Sequence, residues 1–507
     1  MSWLLDPIDA VLDRITMYRL VLYYLIALLV LAAAFGFFHI LPYSPVDIAF
    51  SALVLIASSF AANWIFAKAW GAVPGTASLY ITALILALIV APIAPTNILG
   101  IAFLVFLGAW AMASKYLFAL YGKHLFNPAA FAVVLSSFVA NQGAIWWVAG
   151  NTWLAPLLIL GGLLIVRKLQ RFDLVLSFFA AAFLAVAVTS ADPLHAVWTT
   201  ILHSSLFFLG FVMLTEPATM PPTRSMRMAY GALVGIWFAP AMHIGSFYFT
   251  PELALLLGNL FVFFVSPKGR LMLRLERVNE LARNTYEFEF TPDRRYPFLP
   301  GQYLEWTLPS GFVTDDRGNR RYFTIASSPT ERTVRLGVKF YENSSAFKKK
   351  LLALRVGETI TAAGLAGDFT LPKNASRKLA FIAGGIGVTP FRAMVGYLLD
   401  KKERRDAVLL YSNKTVEEVA YYDVFERART ELGMNTVYAL TDDSRTFPGA
   451  MNGMIDAATI EREIPDYRER TFYVSGPQGM VAAFRHTLSE LGVPATHIKT
   501  DYFPGFA

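Results

Sequence analysis

The chain has 507 residues, more than one compact domain usually holds, with 44 Lys+Arg against 37 Asp+Glu, a formal net charge of +7 and a mean hydropathy of +0.47. It contains no cysteine, which excludes disulfides, thiol catalysis and an all-cysteine iron–sulfur cluster within this chain. The basic residues sit at the ends of apolar segments or are mixed with acids, a pattern that does not suit nucleic acid.

The charges divide the chain. Residues 1–268 carry 11 basic and 8 acidic residues, and residues 269–507 carry 33 and 29. The first part therefore has a membrane composition and the second a soluble one, with the change at "FFVSPKGRLML". The opening "MSWLLDPIDAVLDRITMYR" lacks the basic-then-apolar layout of a cleaved signal peptide, so the first apolar segment is expected to remain as an anchor.

A spanning helix needs about 20 mostly apolar residues. Ten segments qualify as expected spans: 18–40, 46–67, 77–94, 98–120, 128–143, 152–167, 172–190, 196–215, 227–244 and 250–266. Trp146, Trp147 and Trp153, in "NQGAIWWVAGNTW", fit an interfacial aromatic belt. Alternate connections hold Arg14 and Arg19, Lys68, Lys115 and Lys123, Arg167, Lys168 and Arg171, Arg224 and Arg227, then Lys268, while the intervening connections hold no Lys or Arg. That bias predicts a multi-pass protein of the cytoplasmic membrane with both termini and the soluble part inside.

Two proline breaks interrupt the apolar pattern, Asn127-Pro128-Ala129 and Glu216-Pro217-Ala218. Each precedes a fresh apolar segment. Paired broken helices suggest an internal repeat with a site at its interface, although a plain surface turn would use the same residues.

From Leu271 the pattern becomes short β-branched and aromatic runs, "YEFEFTP", "YLEWTL", "VRLGVKFY" and "ETITAAG". They predict a small antiparallel barrel over 269–372. Strands and helices then alternate through "KLAFIA", "PFRAMVGYLLD", "AVLLYSN", "NTVYALT" and "TFYVSG", which predicts a parallel α/β domain over 373–507. The strand "LAFIAGGIGVTP" runs into Gly384, Gly385 and Gly387, then Thr389, with Pro390 where a helix begins. Such a turn lets backbone N–H groups approach a pyrophosphate. "RRYFTIASSP" supplies Arg321, Tyr322, Phe323 and Thr324, "YENSSAFKKKLL" supplies Ser344 and Ser345, and "YVSGPQGMV" supplies Ser475, Gly476 and Pro477.

Together these segments resemble the ferredoxin–NADP reductase superfamily over nearly all of 271–507. The resemblance implies FAD, its pyrophosphate held by Arg321, its ring packed by Phe323 and its edge met by Thr324. It implies NAD(P)H on the glycine loop and Thr389, with Ser475 beside the nicotinamide where the family has cysteine. Phe replaces the family's Tyr at 323. The terminal "DYFPGFA" offers Phe503 and Phe506 as covers for the flavin, with Phe506 assigned a catalytic position. Ser412 and Lys414 are where a 2′-phosphate would be met, and NADH and NADPH stay undecided.

The membrane part resembles the RnfD-type membrane subunit of the Rnf complex and its counterpart in the sodium-pumping NADH:quinone reductase. The residues that carry this are "HLFNPAAFAVVL", "VRKLQRFDLVLSF", "FFLGFVMLTEPATMPPTRSMRMAYGALVGI" and "LLLGNLFVFFVSPKGR". The resemblance implies two inverted repeats of five helices and bound flavin. The family's Ser-Gly-Ala-Thr-like flavinylation motif is missing, so no covalent FMN is expected, and a noncovalent FMN or riboflavin is the remaining flavin option.

The expected function is a membrane oxidoreductase. It passes electrons from NAD(P)H through FAD to a flavin or quinone site lined by Asn127, Glu216, Thr219 and Thr223. The acceptor is then quinone or an extracytoplasmic molecule, with a flavinylated partner protein as one candidate. A haem reductase of the ferric-reductase type is a rival, but His39, His195, His203 and His243 lack its paired spacing. A redox-coupled ion transporter is the other, weakened because ionisable residues cluster at span ends.

Overall fold

The computed structural model describes residues 6–13, 15–72, 76–120, 123–309, 318–442 and 450–501. The chain separates into two compact units, one ending at Lys268 and the other beginning at Gly269.

The first unit is helical. A short α1 (Asp6–Asp13) precedes α2 (Met17–Phe37), α3 (Pro45–Trp70), α4 (Thr76–Ile89) and α5 (Ile98–Leu117). A two-stranded hairpin, β1 (Ala119–Leu120) and β2 (Lys123–His124), leads into α6 (Pro128–Ala140). Then come α7 (Ala155–Leu169), α8 (Phe172–Thr189), α9 (Pro193–His203) and a short α10 (Leu206–Phe208), which runs on as one π-helical turn, Leu209–Met213. After the second break follow α11 (Arg224–Phe238), a hairpin of β3 (His243–Ile244) and β4 (Phe247–Tyr248), and α12 (Pro251–Val265).

Helices occupy all ten expected segments, but their lengths differ from the expectation. Among the described residues, α2, α3, α5 and α8 are long and apolar enough to cross a membrane, and the α9 to Met213 pair, bent by 66°, makes a fifth. The apolar helices α4, α6 and α12 have 14, 13 and 15 residues. At 1.5 Å per residue they reach only about 20 Å, short of a hydrocarbon core of roughly 30 Å.

Polar caps set these boundaries. Asn127 caps α6 by accepting from Ala130 N, with Pro128 in the first turn, where its missing N–H costs nothing. Close packing follows from small residues. A Cβ on Gly231 would lie 2.5 Å from Leu174 O, and one on Gly235 2.5 Å from Phe178 O, so the Gly-x-x-x-Gly face of α11 lets the backbone of α8 approach. On that same seam Arg227 pairs with Asp173 at 2.9 Å, both side chains buried. Arg227 is thus a tie between helices.

The aromatic-belt expectation fails for two of its three residues. Trp146 and Trp147 are buried, and their segment folds back into the bundle. Ile145 N and Trp146 N both donate to Ile89 O, Trp147 Nε1 donates to Ala87 O, and Trp146 Nε1 donates to Glu252 at 2.6 Å. Trp153 alone of the three is exposed.

In the second unit, β5 (Arg270–Ala282), β6 (Thr285–Pro292), β7 (Tyr303–Thr307), β8 (Arg320–Thr324), β9 (Val334–Lys339) and β10 (Thr359–Ala366) form one antiparallel sheet in the order β8-β7-β10-β5-β6-β9. α13 (Ala346–Leu352) precedes β10 and packs Phe347 and Leu351 into the sheet's apolar core with Trp306 and Phe290.

The parallel sheet contains β11 (Leu379–Gly384), β12 (Ala407–Asn413), β13 (Asn435–Leu440), β14 (Ala450–Asn452), β15 (Thr471–Ser475) and β16 (Ile498–Asp501), with helices α14 (Thr389–Lys401), α15 (Tyr422–Leu432), α16 (Ala457–Glu463) and α17 (Gln478–Glu490). Its order is β14-β13-β12-β11-β15-β16. The chain moves outward from β11 to β14, then returns to β15 on the other side of β11. The strand order therefore reverses between β11 and β15, where open α/β sheets take their ligands. The sheet's two apolar faces are covered separately, one around Phe381 and Tyr411 and the other around Ile382 and Leu410.

The two subdomains of this unit are joined by Arg392. Its guanidinium donates to Ala326 O at 2.9 Å, pairs with Glu331 and lies over the Tyr421 ring at 5.7 Å.

Candidate functional site

Two places concentrate the chemistry. The first is the crevice at the carboxyl ends of β11 and β15. Gly385 has φ +50°, which turns the chain sharply out of β11 into a 3₁₀ turn, Gly385–Val388, and then α14. A Cβ on Gly387 would lie 2.5 Å from Gly476 Cα and 2.6 Å from Ser475 O. The two glycine loops are therefore packed backbone to backbone, and Met480 and Pro477 sit under Gly384. Pro390 is buried in the first turn of α14. The Thr389 hydroxyl donates to Ile386 O and closes the loop on itself, so it is not aimed at a phosphate. Of the first two residues of α14, Thr389 gives its N–H to Ile386 O and Pro390 has none, so the glycine turn before the helix remains as the anion-binding feature.

Ser475 ends β15 and is buried, opposite Asp501 in the register of β16. Burial pushes the Asp501 carboxyl up to about 7, against the opposing effect of a hydrogen bond with Thr324. The structure thus brings Thr324, Ser475 and Asp501 together. Arg321 and Phe323 converge on α13: the Arg321 guanidinium lies 5.3 Å from the Phe347 ring centroid, and the Phe323 ring is 5.8 Å from it. Tyr322 meets Tyr303 edge-on at 5.8 Å. Both serines before α13 already have local work. Ser344 exchanges hydrogen bonds with the Tyr341 backbone, and Ser345 caps α13 through Lys348 N at 3.4 Å. A buried arginine beside two aromatic rings suits a dinucleotide with an aromatic ring and a charged pyrophosphate, so the donor set fits FAD. Phe503 and Phe506 lie outside the described residues.

The second place is a partly open cavity of about 60 Å³ in the helical unit. It is lined by apolar Val21, Ile81, Ile85 and Val212 and by polar Ser78, Thr82, Asn127 and Glu216. The two breaks meet there. Asn127 Nδ2 donates to Glu216 Oε2 at 2.9 Å, Thr219 Oγ1 donates to the same oxygen at 3.3 Å, and His124 Nε2 lies 2.9 Å from Glu216 Oε1. Behind them Asn127 N donates to Asn259 Oδ1, and Asn259 Nδ2 donates to Tyr230 OH. Lys115 donates to Ser78 O, Ser78 Oγ and Thr82 Oγ1 at 3.0–3.1 Å.

Asn127 and Glu216 thus line the cavity, and Thr219 supports Glu216 from outside it. Thr223 does not belong there. It precedes α11 and its hydroxyl contacts Ser225, because the 3₁₀ turn Pro217–Thr219 carries the chain away first.

Comparison with known proteins bears on both places. Residues 137–267 match the NQR2, RnfD, RnfE family, and residues 381–486 match the oxidoreductase NAD-binding domain. The chain joins an NQR2/RnfD/RnfE membrane domain to an oxidoreductase NAD-binding module. Among curated relatives it is 23% identical over 237 residues to a flavohemoprotein of Oceanobacillus iheyensis, covering 45% of this chain and 57% of that one. It is 28% identical over 232 residues to the stachydrine N-demethylase reductase subunit of Rhizobium meliloti, covering 44% and 64%. The chain therefore spans about six-tenths of the length of the curated relatives it matches. Among solved structures, the flavohem-like FAD/NAD-binding domain of nitric oxide dioxygenase from Vibrio cholerae aligns with a TM-score of 0.41 at 19% identity, over 46% of this chain and 98% of that one.

Sequence reading missed four residues of the membrane-domain site: His124, Lys115 as a buried partner, Tyr230 and Asn259. It missed Asp501 in the reductase module. The signal for His124 was present in "GKHLFNP", three residues before the first break. The histidines weighed as haem ligands, His39, His195, His203 and His243, are exposed.

Proposed function

We propose that this protein is a membrane flavoprotein oxidoreductase that takes electrons from NAD(P)H and delivers them to a flavin or quinone site in the NQR2/RnfD/RnfE domain. The observation that carries the reading is the crevice between β11 and β15. Two glycine loops meet backbone to backbone at the strand ends, beside Ser475, and a nucleotide would lie across them. Arg321 would hold the FAD pyrophosphate, with Phe323 and Tyr322 beside the ring. Gly384, Gly385, Gly387 and Pro390 would present the NAD(P)H pyrophosphate with the α14 N-terminus, and Gly476 and Pro477 would bound the nicotinamide pocket. Bound there, FAD supplies hydride acceptance and release of electrons one at a time. The chain contributes placement, and joining both units in one polypeptide raises their effective concentration for each other.

In the membrane domain, Glu216 and Asn127 would orient the second cofactor, a noncovalent FMN or riboflavin, or the quinone head group. Ten spans in two inverted repeats remain our reading. It is supported by the absence of Lys and Arg from alternate connections and by the hydrogen bond that links the two proline breaks. The same charge bias supports a cytoplasmic reductase module and termini in an inner membrane. The final acceptor would be quinone or an extracytoplasmic molecule, including a flavinylated partner.

Acid precipitation of the purified full chain, with flavin identified in supernatant and pellet, tests the reading. FAD with no flavin in the pellet is expected, together with a second soluble flavin if the cavity holds one. Absence of FAD would overturn the reductase assignment.

A further inference from the structure

We infer that His124 and Glu216 form the proton inlet for a quinone-class acceptor reduced in the membrane-domain cavity. This rests on the functional reading above and specifies its substrate class. The cavity is lined by apolar Val21, Ile81, Ile85 and Val212 together with polar Ser78, Thr82, Asn127 and Glu216, a chemistry suited to a carbonyl head group with an apolar tail. Reducing such a head group takes two electrons and two protons. In the overall balance, NAD(P)H, one proton and quinone give NAD(P)⁺ and quinol. The hydride's proton is released where the flavin is reoxidised, and the quinone oxygens take up two protons at the cavity.

Those protons need a donor at the cavity's polar residues. Glu216 lines the cavity, His124 does not, and the two are in hydrogen-bond contact at 2.9 Å. The His124 side chain keeps 16% of its surface accessible and that of Glu216 22%; His124 stands at the end of the β1–β2 hairpin, which connects α5 to α6. Imidazolium Nε2–H can pass its proton to Glu216 Oε1, and the carboxyl can pass it to a quinone oxygen. His124 then takes another from water, and the cycle repeats for the second oxygen. Asn127 and Thr219 hold Oε2 and fix the direction of Oε1. The other titratable groups facing Glu216 are Lys115 from α5 and Tyr230 from α11, with Tyr18 of α2 on the cavity wall. Lys115 donates to Ser78 Oγ, which leaves that hydroxyl its own proton to present to a second carbonyl.

The test uses the full chain in detergent with decyl-ubiquinone as acceptor, and ferricyanide, which takes no proton, as control. His124→Gln should lower kcat for decyl-ubiquinone at pH 8 roughly 100-fold, the usual scale of proton-transfer catalysis, with KM unchanged. Its ferricyanide rate should stay at the wild-type value. In His124→Ala, added imidazole should restore quinone turnover. Without any acceptor, the infrared carboxyl band that Glu216→Gln removes should shift in His124→Gln, a readout independent of turnover. Wild-type protein that reduces ferricyanide but not decyl-ubiquinone would overturn the quinone reading and the inlet with it. Normal quinone turnover by His124→Gln, or an unshifted carboxyl band, would overturn the inlet alone.

Discussion

Gly387 shows how a single residue can settle which readings of a motif survive. A Cβ there would meet Gly476 Cα and Ser475 O, both backbone atoms that cannot swing aside. Gly387→Ala is therefore expected to cost about 1–3 kcal/mol, the range for forced overpacking, and to weaken NAD(P)H binding. Gly479→Ala, four residues past Ser475 with nothing within 4 Å, is the control and should be neutral or stabilising. Thermal unfolding and nucleotide titration of both variants check this. Asp501 carries a pH prediction. Its carboxyl titrates near 3.8 when unfolded and at about 7 in the fold. Between these values the folded state holds the extra proton, so Asp501's contribution to stability is complete at low pH and is lost as pH rises through 7. Asp501→Asn should flatten the unfolding midpoint between about pH 4 and 7; an unchanged slope would assign the pH dependence to another group. Thr389 and Ser345 mark the limit of motif reading at this scale. Both are hydroxyls where a phosphate ligand was expected, yet each satisfies a backbone group of its own turn.

At the scale of elements, the antiparallel strands of the reductase module were legible as β-branched and aromatic runs between turns, and β11, β12, β13 and β15 as short continuous apolar runs, buried along nearly their whole length. The short edge strands β14 and β16 were not, since three or four half-exposed residues carry no periodic signal. In the helical unit, apolar runs gave the positions of helices but not their lengths, because helix ends are set by Asn127, Asp192 and Thr250 caps and by the breaks between. The π-helical turn before Glu216 left no sequence mark that we recognise. Nor did the burial of Trp146, which depends on Glu252, 106 residues away. Glu252→Gln should preserve that contact through its amide oxygen, whereas Glu252→Ala leaves the indole N–H buried and unpaired. Its expected cost is about 1–3 kcal/mol, measurable as a lower unfolding temperature. The Arg392 clamp makes the matching prediction for the reductase module. Arg392→Ala leaves Glu331 and Ala326 O without their shared donor, and should lower the unfolding temperature more than Arg427→Ala, whose ion pair is exposed.

Across the whole molecule, the step in charge density at Lys268 and Gly269 coincides with the boundary between the two units, because charged residues at the density of the second unit cannot sit in lipid. The cavity was only half legible. Asn127 and Glu216 stood out as polar residues beside prolines, whereas His124 and Lys115 gained meaning once folding placed them around the same space. The central claim is that electrons from NAD(P)H reach that space. The most direct measurement is NADH-driven reduction of decyl-ubiquinone by the full chain, compared with Val21→Trp, which fills the cavity from α2, and with ferricyanide reduction as reference. The account predicts that Val21→Trp loses quinone reduction and keeps ferricyanide reduction at the wild-type rate. Equal quinone reduction by both proteins would contradict it.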